Sequence, residues 1–307
     1  DFRYYRNGTF RNEESISSEG KNRASLSNQS DFSWTLDNLI YYDKEFGKHS
    51  VGLTLLQSAT GYHYEESSMA AEGIPLESAK WNALSKENVS LLDEWNSGLI
   101  EKQLLSYMFR VNYDYNNKYL LTVSGRWDGA SQLAEGNKWA FFPSAALGWR
   151  LDQEEFLKDV TWLNQLKFRL GVGVTGNSAI DPYQTKGAIV SLYYPFGSAL
   201  APGYAASEPL IKDGAVAMAN KNLSWEKTTQ YNIGLDYSVL NGRISGVLDF
   251  YTSRTTDLLM AMTIPSLNGY TNTYANVGKT SNIGVDITLN TVNVKTRDFE
   301  WSTSINA

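Results

Sequence analysis

The stretch LLSYMFRVNYDYNNKYLLTVSGRWDG, residues 104–129, decides the fold. From Leu105 every second residue is apolar or aromatic: Leu105, Tyr107, Phe109, Val111, Tyr113 and Tyr115. Ser106, Met108, Arg110, Asn112, Asp114 and Asn116 lie between them. After Asn116-Asn117-Lys118 the alternation resumes, with Tyr119, Leu121, Val123 and Trp127 against Thr122, Ser124, Arg126 and Asp128. A period of two is the period of a strand. Two strands follow, each with one oily and one polar face. A three-residue loop at 116–118 pairs Tyr115 with Tyr119, Tyr113 with Leu121 and Val111 with Val123. A slip of one residue would spoil every one of these pairings. The oily face can touch either a protein core or lipid.

The pattern extends in both directions. Ten strands are expected, near 31–43, 50–63, 101–115, 119–128, 139–150, 164–175, 227–240, 243–256, 279–291 and 299–306. Leu166, Phe168, Leu170, Val172 and Val174 alternate with polar or small residues, as do Tyr231, Ile233, Leu235, Tyr237 and Val239, and Ile283, Val285, Ile287 and Leu289. Asn241-Gly242 is a strong hairpin signal, because both residues tolerate the positive φ of a type I′ turn. A two-residue loop there sets Val239 against Ile244, Leu235 against Leu248 and Ile233 against Phe250, apolar on apolar throughout.

Composition narrows the class. The 307 residues allow one large β domain or two ordinary ones. No run of ~18 apolar residues exists, so no helix of this chain spans a bilayer. The opening DFRYYRNGTF does not read as a signal peptide. The net charge of -6 argues against a nucleic-acid partner, which needs a basic face. Cysteine is absent, which excludes disulfides and thiolate metal sites.

Loop lengths alternate. Short connections fall at 44–49, 116–118, 241–242 and 292–298, with a medium one at 151–163; long ones fall at 64–100, 129–138, 176–226 and 257–278. Strands that run up and down therefore collect short turns at one end and long loops at the other, the asymmetry of outer-membrane barrels. Tyr113, Tyr115, Tyr119 and Tyr237 lie on the oily face beside the short turns, while Trp127, Trp139 and Phe141 lie toward the long loops. Two aromatic belts about an aliphatic middle suit the two interfaces of a bilayer. The residues favour an all-β, antiparallel, up-and-down transmembrane barrel. A soluble β-sandwich lectin or adhesin, or a β-helix, is the alternative. Ten strands would bring both termini to the long-loop end and leave two open edges, which lipid cannot satisfy. The expectation is therefore an internal portion, about ten strands, of a larger barrel, with residues 1–307 all in one barrel domain.

Several stretches carry a more specific likeness. NKWAFFPSAALGWRLDQEEFL (137–157), LKFRLGVGVTGNSAIDPY (166–183), NLSWEKTTQYNIGLDY (222–237), NGRISGVLDFYTSRTTDLLM (241–260) and NVGKTSNIGVDITLNT (276–291) resemble SusC/RagA-type TonB-dependent outer-membrane transporters, and FGKHSVGLTLLQSA (46–59) fits the same pattern. The resemblance implies a barrel of ~22 strands filled by an N-terminal plug. It implies active import of an oligosaccharide or peptide, a SusD-type surface lipoprotein as lid, and energy from the TonB complex acting on the plug. It places the protein in the outer membrane of a Gram-negative bacterium. The plug, the TonB-contacting segment and the terminal strand are expected outside these residues.

No constellation carries catalysis or calls for a cofactor, so no enzyme is expected. GVGVTG at 171–176 matches GxGxxG, but NSAIDPY follows where a dinucleotide site needs a helix. His49 and His63 have no partner at metal-ligand spacing, and LDQEEF (151–156) reads as a solvated charge cluster at a turn. No EF-hand-like calcium loop appears. The long loops hold the candidate ligand or lid contacts: Trp81 and Trp95 in 64–100, and Tyr193, Tyr194, Phe196 and Tyr204 in 176–226. Aromatic faces there can stack on sugar rings, pack on a partner, or simply wedge loops together. Arg110, Asp114, Arg126, Asp128, Arg169 and Asp236 fall on the polar face, where charged hydrogen bonds would hold a plug.

Overall fold

A computed structural model describes residues 1–15, 20–84, 91–186, 190–196, 199–205, 218–265, 267, 270 and 272–307; for 91–94 and 190–205 it describes the backbone alone. The chain divides into two compact units, residues 1–36 with 59–104, and residues 37–58 with 105–307.

The chain forms strands β1 (Phe2–Arg11), β2 (Arg23–Phe46), β3 (His49–Glu72), β4 (Leu91–Tyr115), β5 (Tyr119–Ala130), β6 (Trp139–Arg150) and β7 (Leu163–Asn177). They continue as β8 (Val190–Phe196), β9 (Ala199–Ala205), β10 (Glu226–Val239), β11 (Ile244–Thr256), β12 (Leu259–Thr263), β13 (Asn272–Asn276), β14 (Lys279–Lys295) and β15 (Glu300–Asn306). Eleven of them make one sheet in the order β1-β2-β3-β4-β5-β6-β7-β10-β11-β14-β15. The hairpins β8–β9 and β12–β13 are separate two-stranded sheets within the long loops.

In the second unit the register brings like to like. One row across six strands is Leu121, Leu147, Leu170, Ile233, Phe250 and Val285. Two residues along runs Val123, Ala145, Val172, Tyr231, Thr252 and Ile283. These side chains are not covered: Ile233 is 46% exposed, Val285 56% and Ile283 68%. A soluble sheet of this size would bury such rows, since contiguous apolar patches beyond a few hundred Å² are rare on monomers. The sandwich alternative needs a second layer on this face, and among the described residues none lies there.

Rings mark both margins of the oily face. Near the short turns Phe46 stacks on His49 at 5.2 Å, His49 meets Tyr115 at 4.9 Å, Tyr115 stacks on Tyr119 at 6.3 Å and Tyr119 on Trp149 at 6.4 Å. His49 Nδ1 also lies 2.7 Å from the Tyr113 hydroxyl, so this histidine is part of the ring belt rather than a solvated turn residue. Toward the long loops Trp139 meets Tyr107 at 6.3 Å and Trp127 at 6.0 Å.

The expected registers hold. Val239 faces Ile244, Leu235 faces Leu248 and Ile233 faces Phe250. The Thr122 hydroxyl reaches Asn112 Oδ1 at 2.9 Å, in step with the Tyr115–Tyr119 stack. At the Asn241-Gly242 turn Leu240 joins both residues at positive φ. Beside a register shift between Ser238 and Val239, the Leu240 N–H donates to the Trp162 carbonyl at 2.7 Å.

Three expectations are corrected. There are eleven sheet strands, not ten; β1 was missed because nearly all of FRYYRNGTFR is exposed on both faces and shows no period of two. It is specified instead by its ladder with β2, Phe2 opposite Phe32 through Arg11 opposite Arg23. An odd count of alternating strands makes the first and last run the same way, where ten would run opposite ways. Third, β2, β3 and β4 are 24, 24 and 25 residues long, well past the ~9–11 that a tilted membrane strand needs. Their outer halves carry Ser, Asn and Glu, so apolar alternation stops while pairing continues. The long connection expected at 64–100 shrinks to 73–90.

The first unit has its own small core of Ala24, Ala71 and Ile74, flanked by Phe10, Trp81 and Leu84. Asn22, nearly buried, locks the 73–77 turn onto it: Nδ2 donates to the Ile74 carbonyl at 2.9 Å and Oδ1 accepts from the Ile74 N–H at 2.6 Å. Asn22→Ala strands two buried backbone groups, at a cost of about 1–3 kcal/mol each. Hydrogen exchange should speed at Gly73 and Ile74 and remain unchanged in β10 and β11.

Candidate functional site

The face opposite the oily rows is polar and cross-linked. Arg169 on β7 donates from Nε to Asp236 Oδ1 at 2.9 Å, and from Nη2 to both oxygens of Asp249 at 3.1 Å. Asp249 stands on β11, so the guanidinium reaches across the whole of β10. Gly234 makes that possible. It is the register partner of both Arg169 and Asp249, and a Cβ there would sit 2.7 Å from the guanidinium carbon. The sequence pointed to Arg169 and Asp236 but not to Asp249. A glycine inside a strand was the available signal, since it marks a close approach.

A second node lies on β5. Arg126 Nε bonds both oxygens of Asp128 at 2.7 and 2.9 Å, and Nη2 donates to Ser106 on β4 at 2.9 Å. Ser106 and Asp128 are buried. Arg110 is exposed on the same polar face. Asp114 is engaged by its own hairpin, accepting the Asn117 N–H at 2.7 Å in the turn where Asn116 and Asn117 adopt positive φ.

The LDQEEF turn is not the solvated cluster expected. Of its three carboxylates only Glu155 is open, at 84%. Glu154 takes three donors: the Tyr119 hydroxyl at 2.7 Å, Lys118 Nζ at 3.0 Å and Trp149 Nε1 at 3.0 Å. These bonds, Tyr119 first, hold its carboxyl down at about 2 against an ordinary 4.5. Burial pushes Asp152 up, but Arg150, Gln153 and the Leu166 N–H outweigh it and hold it below the usual carboxylate range. Adjacent carboxylates in a turn looked solvated because their partners come from three strands.

At the long-loop end the polar face carries a packed ledge. Phe142 meets Trp225 edge-on at 5.2 Å, beside buried Ala130, Leu133, Ala134 and Leu223. Trp225 Nε1 donates to the Lys138 carbonyl at 2.8 Å, and the Ala134 N–H to the Leu223 carbonyl at 3.1 Å. Asn276 binds Ser224 in both directions at 2.8 Å, tying β13 to the same segment. The last glycine of GVGVTG has its role here: the Phe142 ring lies where a Gly176 Cβ would be. β7 runs on through the motif with no helix after it.

Trp81 lies where a Cβ of Gly8 would stand and packs on the first unit's core. Trp95 belongs to β4, is 80% exposed, and lines a groove of about 600 Å³ with Met69 and Leu84. Tyr193, Tyr194 and Phe196 fall in β8 and Tyr204 in β9, and their side chains lie outside the described residues. His63, unremarkable in the sequence, has Glu101 at 3.0 Å on Nδ1 and Glu65 at 3.1 Å on Nε2.

A family model for the TonB-dependent receptor-like β-barrel matches residues 1–307. The chain belongs to the TonB-dependent receptor β-barrel family. Within it the likeness is to the SusC/RagA type. TonB-dependent receptor SusC of Bacteroides thetaiotaomicron is 39% identical over 237 residues, 74% of this chain and 22% of that protein. TonB-dependent receptor P3 of Formosa agariphila is 33% identical over 273 residues, 88% of this chain and 26% of that one. The chain thus spans about a quarter of the length of the curated relatives it matches. The structure of the RagAB peptide transporter superposes with a TM-score of 0.83 over 99% of this chain and 32% of that one, at 24% identity, which shows the shared fold. TonB-dependent receptors are outer-membrane proteins of Gram-negative bacteria and are not an enzyme family.

Gly234→Ala should break the Arg169–Asp249 bridge, and Asp249→Asn should do the same from the other side. Each is expected to cost about 1.5–3 kcal/mol, with the double variant losing less than the sum. The readout is the temperature at which the folded gel band of the intact protein is lost. Glu154→Gln tests the turn. A carboxylate depressed to about 2 adds stability that is present above about 4.5 and lost as pH falls from there toward 2. The variant should therefore melt lower at neutral pH, and the gap should close as pH falls through that window.

Proposed function

We propose that this chain is a section of the wall of a SusC/RagA-type outer-membrane transporter. It lies within one barrel domain, and the transporter imports an oligosaccharide or peptide. The observation that carries this reading is the pair of uncovered apolar rows backed by the Arg169–Asp236–Asp249 network. An oily face without a protein layer needs lipid, and a cross-linked polar face suits a lumen. The family supplies the energy source, coupling through TonB to a plug. The resemblance of the sequence to the SusC/RagA type carries the rest of the reading, a SusD-type surface lipoprotein as lid and an oligosaccharide or peptide as cargo.

In this reading Arg110, Arg126, Asp128, Arg169 and Asp236 face the plug. Arg110, Arg126, Arg169 and Asp236 can offer it charged hydrogen bonds, Asp128 holds Arg126 in place, and Asp114 shapes the turn beneath them. The exposed ring of Trp95 and the β8–β9 aromatics Tyr193, Tyr194, Phe196 and Tyr204 meet cargo or lid. Trp81 supports the loops beside them.

The test uses the intact protein. It should need detergent to stay in solution and should migrate faster on gels before heating than after. Nitroxide labels at Leu121 and Val123 should collide with oxygen dissolved in lipid and be shielded from a water-soluble nickel chelate. Phe250→Arg should destabilise the protein in bilayers by about 2–4 kcal/mol, the cost of a cation on the lipid face near the midplane. Free solubility in water, or labels that report a dry protein interior, would overturn the proposal.

A further inference from the structure

The oily face is not uniform. Ile40, Leu55, Tyr107, Phe109, Trp127 and Phe141 line a groove in it of about 450 Å³. That volume is within the roughly 300–1,000 Å³ of small-molecule sites. The groove exists because position 125 has no side chain. Both flanking rings lie down over it: a Cβ at Gly125 would be 2.7 Å from Phe109 and 2.6 Å from Phe141. Any larger residue would lift the rings and close the groove.

Side-chain amides enter the lining at Asn38 and Gln57. Asn38 Nδ2 donates to Gln57 Oε1 at 2.6 Å. Among the described residues the Gln57 amide nitrogen and the Asn38 carbonyl oxygen then have no further bond. An amide left unpaired against hydrocarbon is costly. This pair lies beside Tyr107 and Trp127, in the belt where a lipid's chain meets its polar linkage.

Resting on the reading that this face meets lipid, we infer that the groove is a binding site for one fatty acyl chain of a membrane lipid. The chain lies against Leu55, Phe109 and Phe141, and the ester carbonyl at its head accepts a hydrogen bond from the Gln57 amide nitrogen. The lining matches the chain, and the unused donor matches the carbonyl.

The experiment counts retained lipid. Intact protein is stripped in detergent, reloaded with 1-palmitoyl-2-oleoyl-phosphatidylglycerol and weighed by native mass spectrometry. Leu55→Trp fills the groove from β3 and Gly125→Val closes it from β5; gel migration confirms that each is folded. Each variant should hold one lipid fewer than the unaltered protein. Gln57→Met, which keeps the volume and removes the donor, should lose that lipid at lower collision energy. Ile287→Trp, on the oily face but outside the groove, should retain the full number. Equal counts throughout would overturn the site while leaving the lipid-facing wall intact. Loss of a second protein copy in place of a lipid would assign the groove to a protein seam and also overturn it. A protein soluble without detergent would overturn the wall itself, whatever the count.

Discussion

One sheet that meets two solvents constrains everything else in this molecule. Side chains of a strand alternate strictly, so hydrocarbon on one face and a polar medium on the other impose a period of two along the strands that meet both. Register is then held to a single value between neighbours, because a one-residue slip sends Arg169 or Arg126 into the oily face and Ile233 out of it. The rows from Leu121 to Val285 and from Val123 to Ile283 are the visible consequence. Their exposure, which would be a defect in a soluble protein, is what a wall in lipid requires.

The polar face meets a different difficulty. Cations and carboxylates at this density need partners, and strand spacing limits which ones they can reach. Gly234 removes a side chain between Arg169 and Asp249, so one guanidinium ties together three strands. Ser106 and Asp128 hold Arg126 in the same manner across β4 and β5. At the short-turn end Glu154 gathers Lys118, Tyr119 and Trp149, joining the turn to the ring belt. At the long-loop end the Phe142–Trp225 contact makes a hydrophobic ledge on the polar side, and the glycine at 176 leaves room for it.

The family match agrees with this physical picture and extends it. This section of wall carries ring belts at the margins of its oily face, charge networks on its polar face, and loops tied to each other beside its long connections.

Much of this was legible in the residues. Alternation located ten of the eleven sheet strands. Asn241-Gly242 set a register that the structure reproduces, and the order of short and long loops assigned the two ends. Local rules suffice there, because the pleat and the turn act over a few residues. The rest depended on neighbours distant in sequence. β1 shows no apolar alternation and is specified by its ladder with β2 and by the packing of Phe10 and Gly8 on the first unit's core. The outer halves of β2, β3 and β4 are held by pairing after the apolar pattern has ended. Asp249 joins Arg169 only because β10 passes between them with a glycine, and Glu154 is sequestered only because two strands and the 116–118 turn bring it donors. The sequence by itself determined which face is oily, since that follows from period and composition. Only the tertiary structure decided which charges meet, because a side chain's partner is set by register across strands that the sequence places up to 80 residues apart.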